Sequence, residues 1–439
     1  MATSVTDGPF TYTFSAPARV GQYVTGDWWV QAPVTITSIT PAFNGQLHGF
    51  MVNPTFGPNS PIGSDSCYHY NHHFNPAVCP TLPLVLPNDG QIRSIVKTRS
   101  ITECTNCWTD DVIGYSSPSY VKDASVLTVV SNIPATDAFR PNYTGTVKVE
   151  LRESDVDYSI FNLNLDGSRY PMPAATLIEK MTSQPWLISD ADWASRYTFN
   201  IAAQPGYGRE VSLGVNVLAL YAIHGGNLPH RNRVRRFLVQ HGLDLAAMKN
   251  DAPEAFTGNG GQLNGKKLPI VLLTAALKPG ALKTYLLYLL ATTEFSEDDQ
   301  IRDGTPYFSP NTSVYWNFGK GHPGESLHPT NWLSTSEYYV NQMSYKYCCT
   351  YNIHGGTWLV VSLMNLWDVW QNDSFRRGVW GYYEIEDLYQ QRNAMMEATG
   401  SDMGTWYIDP STGHGAHWGS QFYIGEIWDL EAAAFDPFQ

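Results

Sequence analysis

Two hydrophobic rhythms divide the chain near residue 170. Before it, short apolar and β-branched runs alternate with clusters of Pro, Gly and Asn. Residues 28–37 (WWVQAPVTIT), 92–98 (IRSIVKT), 126–130 (VLTVV) and 146–151 (TVKVEL) have the length and side-chain content of strands. Asn44-Gly45, Asn88-Asp89-Gly90 and Asn142-Tyr143-Thr144-Gly145 supply turns, because Asn and Gly reach backbone conformations that other residues avoid. Many short strands with turn-rich connections predict an antiparallel β-sandwich-like domain over residues 1–170.

Beyond residue 170 the apolar positions recur at helical spacing. The pattern predicts helices over residues 211–223, 231–248, 268–277, 281–292, 357–370, 381–398 and 420–434. Several are joined by loops with Gly or Pro, such as His224-Gly225-Gly226 and Pro279-Gly280. Residues 268–277 and 356–364 are apolar almost all round, and a helix without a polar face must be buried on every side. Buried helices alternating with amphipathic ones predict two concentric layers, an α/α-toroid-like helical domain over residues 171–439, with an irregular bundle as the alternative. The expected fold class is therefore α+β, a sandwich followed by a toroid. Residues 295–342 lack strong periodicity but are rich in Tyr, Trp, His and Asn. Loops of that length are commonly functional, so the active face is expected there.

Composition narrows the function classes. Of 439 residues, 27 are Lys or Arg and 40 are Asp or Glu, giving a net charge of −13. Only 15% are charged, while 13% are aromatic and 43% hydrophobic. A phosphate backbone demands clustered cations, and an acidic, charge-poor, aromatic-rich chain is not expected to take nucleic acid as partner. It has ample apolar surface for a core, which excludes disorder. No run reaches the ~18 apolar residues of a membrane span, and no signal peptide is visible in the first ten residues.

Six cysteines fall in close pairs: Cys67 with Cys79, Cys104 with Cys107, and the adjacent Cys348 and Cys349. An even, closely spaced set favours disulfides and an extracellular or cell-surface location. The alternatives are a zinc site from Cys67, Cys79, Cys104 and Cys107 with His69, His72 or His73, or free thiols.

Five constellations carry candidate chemistry. Glu297-Asp298-Asp299 follows a predicted helix, and adjacent carboxylates raise at least one pKa, as a general acid requires. The alternative reading of that run is a solvated cap for the next segment. The stretch from Trp316 to Glu325, with His322, places a Glu among Gly, Pro and aromatics where no helical pattern explains it. Glu297 or Asp298 with Glu325 would form the acid and base of glycosidic cleavage, roughly 6.5–9.5 Å apart in an inverting mechanism. Tyr207-Gly208-Arg209 precedes a helix and suits a ligand carboxylate or hydroxyls, or β-elimination with Arg neutralising a uronate. The run from Gly258 to Lys267 lacks phosphate-loop order, so no nucleotide cofactor is expected; its Asn259, Gln262 and Asn264 would instead meet sugar hydroxyls. Tyr347, Cys348, Cys349 and Asn352 lead into an apolar helix, where a vicinal disulfide would form a rigid plate for a sugar ring. His354 reads as a core histidine, and the basic run His230 to Arg236 as a solvated helix face that would also attract a polyanionic glycan.

Gly26-Asp27-Trp28-Trp29-Val30, Tyr207-Gly208-Arg209 and Tyr345 to Thr350 resemble a group of bacterial secreted proteins with a β-rich region before a helical one. Gln262 departs from that pattern, which has a His there. More remotely, the architecture resembles carbohydrate-active enzymes with an α/α toroid. The resemblance implies an extracellular polysaccharide-degrading enzyme, foremost a glycoside hydrolase, with a polysaccharide lyase next. A non-catalytic virion, surface or filament protein that binds glycans or assembles with its own copies is the third expectation.

Overall fold

The structure is a computed structural model that describes residues 1–55, 63, 74–101, 120–169, 172–188, 197–198, 208–256, 264–299, 301–303, 314–316 and 344–380. It opens with strands β1 (Ala2–Asp7), β2 (Phe10–Ala18), β3 (Val20–Gln22), β4 (Trp28–Gln31), β5 (Val34–Thr40), β6 (Phe50–Val52), β7 (Leu84–Leu86), β8 (Arg93–Ile101) and β9 (Tyr120–Val130). They form a four-stranded sheet of order β1-β2-β5-β7 and a five-stranded sheet of order β3-β4-β9-β8-β6. Pairing is antiparallel except between β4 and β9, which run parallel with Trp29 opposite Thr128.

Alternation along β9 explains how the second sheet is buried on both sides. Leu127 and Val129 join Tyr12, Phe14, Ile36 and Ile95 in the core between the sheets. Ala124 and Val126, one residue out of phase, join Val96 in a larger core shared with the helices.

The expected strand over residues 28–37 is two strands in different sheets. Pro33 lies at the break, having no N–H to give to a ladder. The expected strand over 146–151 does not form. There the Asn142 side chain donates to the carbonyls of Thr144 and Val147 and accepts from the Val149 N–H, while Lys148 Nζ donates to the carbonyls of Asn142 and Thr144. Side chains have taken the groups that a ladder would use. Gly45, Gly90 and Gly145 hold the positive φ that the expected turns require.

A helical region follows: α1 (Ala175–Met181), α2 (Gly208–Ile223), α3 (Arg231–Asp251), α4 (Lys267–Ala276), α5 (Ala281–Thr292), α6 (Ser296–Asp299), α7 (Ser344–Leu363), α8 (Trp367–Trp370) and α9 (Asp373–Trp380). Two small hairpins interrupt it, β10 (Leu187–Ile188) with β11 (Tyr197–Thr198) and β12 (Ile301–Asp303) with β13 (Val314–Trp316). The coarse α+β order, antiparallel strands then helices, is thus as expected. Helix 357–370 is instead the end of α7 and the separate α8, split where Asn365 adopts a left-handed φ of 53°. The expected helices over 381–398 and 420–434 lie outside the described residues.

Helix α4 is buried along its whole length, whereas α5 turns Tyr285 and Tyr288 to solvent. The basic run on α3 is not simply a solvated face, since Arg235 is buried and donates to the carbonyls of Phe161 and Ala222. No helix among the described residues is long and apolar enough to cross a membrane. Cys79, expected in a disulfide, is here a buried free thiol, raised in pKa by that burial. Its side chain joins the core between the sheets beside Phe50. Cys67, Cys104 and Cys107 lie outside the described residues.

Candidate functional site

The start of α4 gathers what the sequence scatters. The first N–H groups of a helix lack intrahelical acceptors and carry the positive end of its dipole, so they call for an anion. Glu297, on α6, meets that need: its Oε1 accepts from the backbone N–H of Gly265 at 2.9 Å, Lys266 at 3.2 Å and Lys267 at 3.2 Å. The side chain is shut away from water at 1% exposure, and Oε2 has no hydrogen-bond partner. Burial first, then the neighbouring Asp298 charge, pushes the Glu297 carboxyl above its ordinary range, against the pull of the Lys267 N–H and ammonium. A raised carboxyl in this run is as expected. Glu297 caps the earlier helix α4 rather than the following segment, and it does so buried rather than in solvent.

Asp298, the next residue of the same short helix, takes the side chain of Lys267. Its Oδ1 accepts from Lys267 Nζ at 2.6 Å and from Asn372 Nδ2 at 2.8 Å. Lys267 is 1% exposed, and its ammonium also stands 4.3 Å from the Trp370 ring centroid. A buried ammonium needs such a carboxylate and aromatic faces to offset lost hydration.

Gly265 fixes the end of the Gly-rich run against α2. Its φ is +87°, and a Cβ there would stand 2.6 Å from the backbone N of Ser212. Both the conformation and the close approach require glycine. Arg209 lies in the first turn of α2, which begins at Gly208. From the other side, α7 brings His354 edge-on to Phe375 at 5.6 Å, and Phe375 lies 4.8 Å from Trp370. Burial lowers the His354 pKa to about 3, so the ring is neutral. Strand β13, carrying Trp316, pairs with β12 and packs beside α9. The Gly-rich run and the carboxylate run therefore meet at the start of α4, with α2 packed against Gly265.

The predicted residues divide accordingly. Glu297, Asp298 and Asn264 converge at the start of α4, with Asn264 fully buried. Arg209 on α2, Trp316 on β13, and Tyr347, Cys348, Cys349 and Asn352 on α7 are placed through their backbone. Tyr207, Asn259, Gln262, His322 and Glu325 lie outside the described residues. Sequence reasoning missed Lys267, Trp370 and Asn372. Lys267 stood at the end of the quoted Gly-rich run, a usable signal; Asn372 carried none. No family model, curated protein or solved structure matches this chain.

Proposed function

We propose that the protein is an extracellular polysaccharide-degrading enzyme, a glycoside hydrolase working beside the start of α4. Asp298 and Glu325 form its acid–base pair. Glu297 is a positioning residue, because an oxygen engaged by three N–H groups and shut from water does not touch a substrate. Trp316, Asn259, His322, Tyr347 and Asn352 line the sugar path in this reading, and Arg209 and Tyr207 orient the substrate. One observation carries it: two adjacent carboxylates are both held at the start of α4, Glu297 on its backbone N–H groups and Asp298 by Lys267 Nζ and Asn372. Catalytic carboxylates work only when rotationally fixed. The toroid arrangement belongs to the same proposal, supported by buried α4 beside α5 with its exposed tyrosines.

The test is release of reducing ends from a panel of polysaccharides. Asp298→Asn and Glu325→Gln are expected to abolish turnover while glycan binding survives. Full activity in either variant overturns its assignment. An unsaturated, ultraviolet-absorbing product replaces hydrolysis with β-elimination. A folded wild-type protein inert to every polymer overturns the enzymatic reading.

A further inference from the structure

A cavity of about 320 Å³ opens where the second sheet meets the helices, and none of the Glu297 cluster lines it. Its walls are the β3–β4 turn at residues 24–27, residues 182–186, and one face of α3. This volume is at the lower end of the roughly 300–1,000 Å³ of small-molecule sites and suits one sugar-sized molecule.

The floor is a closed charge network. Arg140, fully buried, donates Nε to Asp27 at 3.0 Å and both terminal nitrogens to Asp244 at 3.1 and 2.6 Å. Arg236 at the edge is neutralised by Glu153 at 2.6 Å. Two groups in the lining are not closed off. Gln240, 5% exposed, spends Nε2 on Asp244 at 3.4 Å, but its buried Oε1 has no hydrogen-bond donor. A buried acceptor left unmet costs about 1–3 kcal/mol, so it calls for a donor. Arg233 gives Nε and Nη2 to the Thr182 carbonyl at 3.3 and 3.2 Å, and no carboxylate among the described residues pairs with it. Between them, the buried Phe237 ring stands edge-on to Trp186 at 5.0 Å.

We infer that this cavity binds a small hydroxylated carboxylate, a sugar acid of the hexuronate class. The carboxylate lies on Arg233, a ring hydroxyl donates to Gln240 Oε1, and the apolar ring face rests on Phe237. The site is separate from the proposed catalytic carboxylates and does not depend on them.

Titration calorimetry with glucuronate and glucose tests it. Glucuronate is expected to bind at least about tenfold more tightly than glucose. Arg233→Ala should remove that preference, while Gln240→Leu, similar in size, should weaken both sugars. Since Arg233 also holds the Thr182 carbonyl, a melting curve accompanies each variant; should Arg233→Ala unfold, Gln240→Leu alone decides. Equal binding of both sugars, unchanged affinity in a folded Gln240→Leu protein, or no saturable glucuronate binding overturns the inference. Glucuronate binding by a protein inert to polysaccharides upholds it while removing the hydrolase.

Discussion

Arg140 and Asp244 join the β-rich half of the chain to the helical half by two parallel hydrogen bonds, 3.1 and 2.6 Å long, with the guanidinium fully buried. Burial works against the Arg140 charge, yet Asp244 and Asp27 together hold its pKa above the ordinary value. The Tyr143 N–H also donates to Asp244, so this one carboxylate fixes a loop as well as a charge.

Removing one member of such a pair leaves a buried charge half compensated. Asp244→Ala is expected to lose about 3–5 kcal/mol in urea unfolding. A loss under about 1 kcal/mol would show that Asp27 alone satisfies Arg140.

Glu297 makes a sharper distinction, between shape and charge. Glu297→Ala strands three buried N–H groups at the entry to α4 and should cost about 3 kcal/mol. Glu297→Gln retains a carbonyl acceptor at the same place and should cost about 1 kcal/mol or less. Equal losses in the two variants would mean that the negative charge, not the acceptor, secures the helix.

How legible this site was depends on sequence distance. Residues 281–292 read as a helix and are one, because the apolar positions and the Pro279-Gly280 start both act locally. Residues 146–151 read as a strand and are not, because Asn142 and Lys148 intercept the backbone groups, a competition that composition does not display. The carboxylate run at 297–299 was visible as chemistry. Its direction was not, since it depends on Lys267, 31 residues earlier, and Asn372, 74 residues later. The Arg140 cavity was legible only in fragments, Asp27 in one motif and Arg233 in another, because four separate segments enclose it.

Gly265 offers a local test of the same architecture. Alanine there must adopt φ +87° and bring a methyl within 2.6 Å of the Ser212 nitrogen. Gly265→Ala should cost at least about 2 kcal/mol and loosen the grip of Glu297 on α4. Hydrogen exchange reads both effects: the Lys266 and Lys267 amides should exchange faster than in the wild type. Unchanged protection would show that the loop moves aside without cost.

Asp7 sets a pH dependence that no other residue need share. It lies at the end of β1 and accepts from Ser125 Oγ at 2.5 Å, while Ser125 accepts from Tyr12 at 3.1 Å. Burial first, and then the Asp27 charge, raises its pKa from 3.8 to about 6, against the pull of the Ser125 hydrogen bond and Arg140. The folded protein therefore holds this proton more tightly than the unfolded chain. The stability it contributes is full below pH about 4 and is lost as pH rises through about 6. A shift of about two pH units corresponds to at most about 3 kcal/mol. Asp7→Asn has no proton to lose, so wild type minus variant should fall by about 2–3 kcal/mol between pH 4 and pH 8. Urea midpoints across that range measure the difference directly, with every other titrating group cancelling. A difference that stays flat would place the Asp7 carboxylate in water rather than against the sheet, and one that rises with pH would mean that Arg140 outweighs burial.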